Sequence, residues 1–428
     1  VDSQVVFVWG PLPDERARIR ITEVKKSYAV GELVEITEES PERATPFCPV
    51  FGTCGGCQVQ HLSYAAQLTW KSRLVRDALE RIGGFVSVQV APTVGMDVPR
   101  AYRNKMALVV ERPDNHIAFG FYQMRSHAFV PITACPVVLP QLDSEIVALV
   151  QAAEDPKLGP AFAGVKHVVA RAGASTGESV TALTTDEQSP RLASAASDLA
   201  KRLPGTKGIS NSFSPPSANA IFGRKQRQVW GQGEMEERIA LPSGGHARYR
   251  VSAASFFQIN SAMVERLFEK LAQLPQPESV LDLYCGAGTF SIWFALGGAK
   301  VIGIEENPAA VREAQSNASL NGVGDRTKFL CGRVESVLAR SDGRTALQAD
   351  VAFLDPPRKG SDVKTLDALI AARILSIWYL SCNPATLARD LAHLRSGGYA
   401  LEETTPFDFF PQTGHVETLA HVRRLDAG

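Results

Sequence analysis

The chain has 428 residues, and 45 Lys and Arg balance 45 Asp and Glu. Its pI is near 7.2 and its mean hydropathy is close to zero. This excludes a disordered chain, a collagen-like fibre and a disulfide-dense mini-protein, and argues against a surface that is basic throughout.

The length suits about two to four domains, each with its own core. No apolar run approaches the ~20 residues that span a bilayer, so no membrane association is expected. Val1-Asp2-Ser3-Gln4 lacks the basic stretch and apolar core of a secretion signal. The seven cysteines are Cys48, Cys54, Cys57, Cys135, Cys285, Cys331 and Cys382. An odd number in such a chain points to a reducing, cytoplasmic setting, where grouped cysteines bind metal or react.

The first forty residues read as β. Val5-Val6-Phe7-Val8 is apolar, and Arg16-Ala17-Arg18-Ile19-Arg20-Ile21 alternates, putting three arginines on one face of a strand. A small barrel is expected, followed by a linker at Ser40–Pro46. A helix is predicted over about 62–82, with Ser63 as a cap and Gly83-Gly84 as its end. Short strands dominate 89–250, with helices near 141–153 and 190–203. From 251 a helix at 261–274 precedes alternating elements. Strands fall at 279–284, 300–305, 327–331, 350–355 and 375–380. Helices start at Thr289 and span 308–321, 364–371 and 384–394. Two β segments near 399–409 and 416–423 close the chain. This predicts a mostly parallel α/β sheet with a terminal antiparallel hairpin.

Three constellations carry chemistry. In the first, Asp282-Leu283-Tyr284-Cys285-Gly286-Ala287-Gly288-Thr289 forms strand, glycine turn and helix start, and Glu305 ends the next strand. A carboxylate there can accept from both ribose hydroxyls. The third glycine of a dinucleotide fingerprint is missing, which favours S-adenosylmethionine over a pyrophosphate ligand. Asp355-Pro356-Pro357 ends a strand at the same sheet edge.

In the second, Ser381-Cys382-Asn383-Pro384 sets a cysteine between strand and helix. The helix dipole is expected to lower its thiol pKa. Glu417 is a candidate general base with His415 as its rival. Cys285 and Cys331 read as structural. In the third, Cys48-x5-Cys54-x2-Cys57 with remote Cys135 suits either a structural zinc or a [4Fe–4S] cluster, and the compact trio leans to the cluster.

Together these residues resemble the RNA uracil-5-methyltransferases, in particular the 23S ribosomal RNA (RumA-like) branch. The resemblance also rests on Tyr102-Arg103-Asn104-Lys105, Phe256-Phe257-Gln258-Ile259-Asn260, Asp355-Pro356-Pro357-Arg358 and Gly414-His415-Val416-Glu417. It implies a multidomain α/β chain with three parts. These are an N-terminal OB-like (TRAM) β-barrel over 1–43, shortened at its first strand, a central mixed α+β domain with the iron–sulfur site over 44–250, and a Rossmann-like class I methyltransferase domain over 251–428.

It further implies a [4Fe–4S] cluster on Cys48, Cys54, Cys57 and Cys135, and S-adenosylmethionine at Gln258, Tyr284, Gly286, Glu305 and Asp355. Cys382 falls at the nucleophile and Glu417 at the base. Phe256 and Gln258 flank the target uracil. Thr289 and Arg333 depart from the asparagines of the best-known ribosomal members. The expected substrate is 23S rRNA, since the tRNA branch generally lacks the cysteines, and the expected state is a monomer. Alternatives are a tRNA uracil-5-methyltransferase, a base amino-methyltransferase and a non-catalytic RNA-binding assembly factor.

The even total charge hides a regional sorting. Residues 201–250 carry 9 basic against 3 acidic side chains, and residues 251–428 carry 17 against 20. Arg224, Lys225, Arg227, Arg248 and Arg250, the Arg16/Arg18/Arg20 face and the Arg103/Lys105 pair are the expected phosphate contacts.

Overall fold

The computed structural model describes residues 5–213, 221–223, 225–340 and 345–425. Val1–Gln4 and Arg224 lie outside them.

At the N-terminus, strands β1 (Val5–Val8), β2 (Arg16–Val24) and β3 (Tyr28–Glu38) form a three-stranded sheet in the order β1-β3-β2. Among the described residues it is not a closed barrel, because three strands are too few to close on themselves. The three arginines do share an exposed face. However, the β2–β3 register sets Arg16 opposite Glu38, Arg18 opposite Glu35 and Arg20 opposite Glu32. Arg16 and Arg18 form ion pairs at 3.2 and 3.0 Å with their opposite acids. The expected basic stripe is therefore a ladder of opposite charges.

The central sheet has seven strands: β4 (Lys105–Glu111), β5 (Ala118–Tyr122), β6 (Phe129–Pro131), β7 (His167–Ala172), β8 (Ser179–Thr185), β9 (Thr206–Phe213) and β10 (Lys225–Gly231). Their order is β10-β9-β8-β7-β4-β5-β6. Only β8 and β9 pair in parallel, and helix Pro190–Ala200 makes the crossover that such a pair requires. A separate hairpin joins β11 (Glu234–Ala240) to β12 (His246–Ser252).

The last sheet contains β13 (Ser279–Leu283), β14 (Lys300–Glu305), β15 (Thr327–Cys331), β16 (Val351–Leu354), β17 (Ser376–Ser381), β18 (Tyr399–Phe407) and β19 (Glu417–Arg424), in the order β15-β14-β13-β16-β17-β19-β18. The first five are parallel, and β19 lies antiparallel between β17 and β18. Both faces are covered. Val280, Val351 and Phe353 enter one core, while Leu281, Leu283, Ala352 and Leu354 enter the other, following the two-residue period of a strand.

Helix Tyr64–Arg81 begins where Ser63 accepts from the Ala66 amide at 3.3 Å. It buries Gln67, Lys71, Val75 and Leu79, one stripe at helical spacing. Although this helix falls within 44–250, its apolar stripe joins the core of the last sheet, beside Leu387, Leu391 and Leu394. Arg395 donates to the carbonyls of Gly83 and Gly84, each at 3.0 Å. No helix among the described residues is long and apolar enough to cross a membrane.

Candidate active site

The carboxyl ends of β13, β14, β16 and β17 lie at one edge of the parallel sheet, where open α/β folds hold ligands. β13 stops at Leu283 because Tyr284 adopts φ +64°, a left-handed conformation that ends the strand. Gly286 (φ +54°) and Gly288 (φ +85°) complete the turn. At Gly288 a Cβ would also sit 3.2 Å from the Ala314 Cβ, so glycine allows helix Pro308–Leu320 to approach. Glu305 accepts from the Gly286 amide at 3.1 Å and from the Asn307 amide at 2.8 Å, tying the end of β14 to the glycine turn.

Asp355 accepts from Gln258 Nε2 at 3.1 Å. Phe256, two residues before Gln258, is 71% exposed, and a Cβ on Gly286 would lie 3.8 Å from its ring. Gln258, Tyr284, Gly286, Glu305, Asp355 and Phe256 are thus brought to one place.

The glycine-turn motif by itself assigns no role to Asp282, although a carboxylate inside a Val-Leu-Asp-Leu strand is a visible signal. It is fully buried, its Oδ2 accepts from Ser291, and its Oδ1 has no partner. Burial pushes its pKa up to about 7. Asp355 is also pushed up to about 7, by burial and then by the Asp282 charge. A folded-state pKa above the unfolded one means that stability is lost as pH rises from near 4 through 7. Asp282→Asn keeps the bond from Ser291 and removes the charge. It should raise the melting temperature at pH 8 by about 5 °C and by much less at pH 5. Thermal melts at both pH values check this.

Cys382 follows β17, and Asn383 caps the next helix, Pro384–Ser396. The β17–β19 register pairs Ser381 with Thr418. One step further along each strand stand Cys382 and Glu417, at the same sheet edge as Asp355. Glu417 is buried and its Oε2 has no hydrogen-bond partner. Burial, then the Asp355 charge, holds its pKa well above the usual carboxylate range, while Arg358 acts the other way. His415, the rival base, is exposed beside Arg358 at 3.5 Å.

The expected depression of the Cys382 pKa is reversed. Burial, then the Glu417 and Asp355 charges, pushes it up to about 11. The helix amides give little help because they are already used. Asn383 Oδ1 takes the Ala385 amide at 3.0 Å, and Ser381 Oγ takes the Asn383 amide at 3.2 Å.

Cys48, Cys54, Cys57 and Cys135 are free thiols lining one cavity of about 350 Å³. Arg103, Lys105 and Ile259 line it too. Arg103 and Lys105 are therefore partly buried rather than on an open phosphate-binding surface. Arg103 donates to the Tyr102 hydroxyl at 3.2 Å, and burial pushes Lys105 down to about 8. Burial raises the Cys54 and Cys57 pKa values and takes Cys135 to about 11. Among the described residues, no group of three or more His, Cys, Asp or Glu side chains is arranged to hold a metal ion. Of the other basic residues, Lys225 and Arg227 are exposed on β10, whereas Arg248 pairs with Glu236 at 2.6 Å.

Residues 220–424 match the family described as tRNA (uracil-5-)-methyltransferase, and residues 1–34 match the TRAM domain. An uncharacterized RNA methyltransferase of Halalkalibacterium halodurans is 37% identical over 98% of this chain and 92% of its own length. The chain belongs to the RNA uracil-5-methyltransferase family. A second uncharacterized RNA methyltransferase, from Thermosynechococcus vestitus, is 38% identical over 98% of this chain and 93% of its own. Among solved structures, the Pyrococcus abyssi tRNA (uracil-54, C5)-methyltransferase in complex with S-adenosyl-L-homocysteine is 27% identical. It superposes with a TM-score of 0.76 and covers 97% of this chain and 94% of that one. This methyltransferase therefore uses S-adenosylmethionine and acts on RNA. Its glycine turn and its clustered carboxylates, two of them held near neutrality by burial, suit a ligand that carries positive charge and no phosphate.

Proposed function

We propose that this enzyme methylates C5 of a uridine in 23S ribosomal RNA through a covalent adduct of Cys382 with uracil C6. The meeting of Cys382 and Glu417 across the β17–β19 register, beside Gln258 and Asp355, carries the reading. Gln258, Tyr284, Gly286, Glu305 and Asp355 hold S-adenosylmethionine, which supplies an electrophilic methyl group when bound.

Uracil C5 is a weak nucleophile. Forming the Cys382 Sγ–C6 bond moves electron density to C5 and activates it. After C5 is methylated, Glu417 takes the C5 proton. The C5–C6 double bond re-forms and the Sγ–C6 bond breaks, returning the thiolate. The base must leave its stack to reach this edge, and exposed Phe256 offers it a ring to stack against.

Four thiols lining one cavity, from a compact Cys48–Cys54–Cys57 trio and remote Cys135 rather than two close pairs, support a [4Fe–4S] cluster over zinc. Anaerobically purified protein should carry about four irons per chain, and Cys135→Ser should lose them. Stoichiometric zinc in the wild type would replace the cluster assignment.

The full-length likeness to a tRNA (uracil-54, C5)-methyltransferase supports a second reading, in which the substrate is tRNA. Mapping 5-methyluridine in ribosomal and transfer RNA, from cells with and without this protein, decides between them. Loss of a 23S site supports the first reading, and loss confined to tRNA overturns it in favour of the second.

A further inference from the structure

The segment Ser255–Ile259 presents Phe256 and Gln258 to the candidate active site, yet its backbone is fastened from the central sheet. Asn104, just ahead of β4, holds two of its carbonyls. Its side-chain amide donates to Gln258 O at 2.8 Å, and its backbone amide donates to Ile259 O at 2.9 Å. Arg171 on β7 holds a third, donating to Ser255 O at 3.1 Å. Arg171 also donates to Asn104 Oδ1 at 3.0 Å, so one guanidinium orients the amide and the strap together. The Phe257 ring lies 5.9 Å from its carbon.

Arg171 is only 1% exposed and its Nε has no partner. Its charge is countered by Glu237 and Glu313. A buried cation costs several kcal/mol and could be replaced by an apolar side chain if only packing mattered. Here the planar fork spans an amide and a carbonyl at once in a fixed geometry, which an apolar residue cannot do and a lysine ammonium, a compact point charge, reproduces only in part. Asn104 Nδ2 also donates to Ser261 Oγ at 3.2 Å, so the strap is fixed relative to the helix that follows it.

We propose that Arg171 and Asn104 are positioning residues that clamp the Ser255–Ile259 strap from behind. They set Gln258 against Asp355 and hold Phe256 over the glycine turn. With Asn104 and Arg171 0% and 1% exposed, they act through the strap rather than on a ligand directly. The proposal rests on the uracil-5-methylation reading above.

The test compares Asn104→Ala, Arg171→Met and Arg171→Lys with Val168→Ala, a cavity-forming change at a fully buried position of the same strand. Three quantities are measured on each full-length protein: affinity for labelled S-adenosylmethionine, single-turnover methyl transfer at saturating cofactor, and melting temperature. Asn104→Ala and Arg171→Met should lose about tenfold or more in the single-turnover rate. Cofactor affinity should fall several-fold, and Arg171→Lys should recover only part of either loss. Val168→Ala, at an equal or greater fall in melting temperature, should stay within about twofold of wild type.

The proposal is overturned if the Asn104 and Arg171 variants match wild type, or if Val168→Ala loses activity to the same degree at the same melting temperature. Should Arg171→Met not fold, Asn104→Ala and Arg171→Lys carry the same comparison. A wild-type enzyme that makes no 5-methyluridine would instead remove the functional reading itself.

Discussion

Cys382→Ala is expected to abolish methyl transfer, with a loss on the order of 10⁴-fold or more. It should also leave no denaturation-resistant complex with RNA containing 5-fluorouridine. Fluorine at C5 cannot be removed as a proton, so the wild type should stall with its Sγ–C6 bond intact. The environment of Cys382 adds a pH signature. With the thiol pushed up to about 11 by burial and two neighbouring carboxylates, only a small fraction is thiolate at pH 7. Adduct formation in the wild type should therefore climb with pH between 7 and 9. Gel analysis of the trapped complex measures both effects. An adduct that persists in Cys382→Ala would move the nucleophile elsewhere. The nearby Cys285 is a poor substitute, since it is buried in the glycine turn with its pKa raised well above the ordinary thiol value.

Glu417→Gln is expected to trap the enzyme on ordinary RNA after methylation and before elimination. Turnover should fall by about 10²–10⁴-fold, the usual contribution of a positioned base. The covalent complex should build up to near the enzyme concentration without any fluorinated base. Glutamine preserves shape but cannot accept the C5 proton. The carboxyl is pushed upward by burial and by Asp355, and pulled down by Arg358. Below its pKa it carries a proton already, so the wild-type elimination step should slow as pH falls. Rapid turnover by Glu417→Gln, with no trapped species, would take the role from Glu417 and return it to the exposed His415.

The catalytic sheet was readable because its signals are local. Apolar runs of strand length alternate with capped helices, and Asn307-Pro308 and Asn383-Pro384 mark helix starts to the residue. β13 ended one residue earlier than its apolar pattern, since the left-handed Tyr284 leaves no trace in composition. The central sheet was legible only as strands. Its order depends on pairings between β4 and β7 and between β8 and β9 that no local pattern encodes. Motifs named Cys382, Glu417, Gln258 and Asp355. What surrounds them was hidden. The thiol pKa depends on Asp355, just past β16, and on Glu417 of β19, and the strap depends on Arg171, an arginine between alanines in β7. The Arg16–Arg18–Arg20 face is exposed as expected, but the acids opposite Arg16 and Arg18 could not be seen in its local pattern, because they lie on another strand.

Helix Tyr64–Arg81 has a consequence for how the chain is made. Its Lys71 is completely buried and bonds to Asp408 at 2.5 Å and to the Phe410 carbonyl at 3.1 Å. Burial pushes the Lys71 pKa down and the Asp408 pKa up, so each side chain depends on the other to stay charged. The two are 337 residues apart in the chain. At ribosomal speeds of about 5–20 residues per second, this segment is synthesised roughly 20–70 s before Asp408. During that interval Lys71 keeps its water and the apolar stripe of Val75 and Leu79 has no seat. The last sheet therefore completes this core only after Asp408 has been made, 337 residues downstream of the helix it packs on.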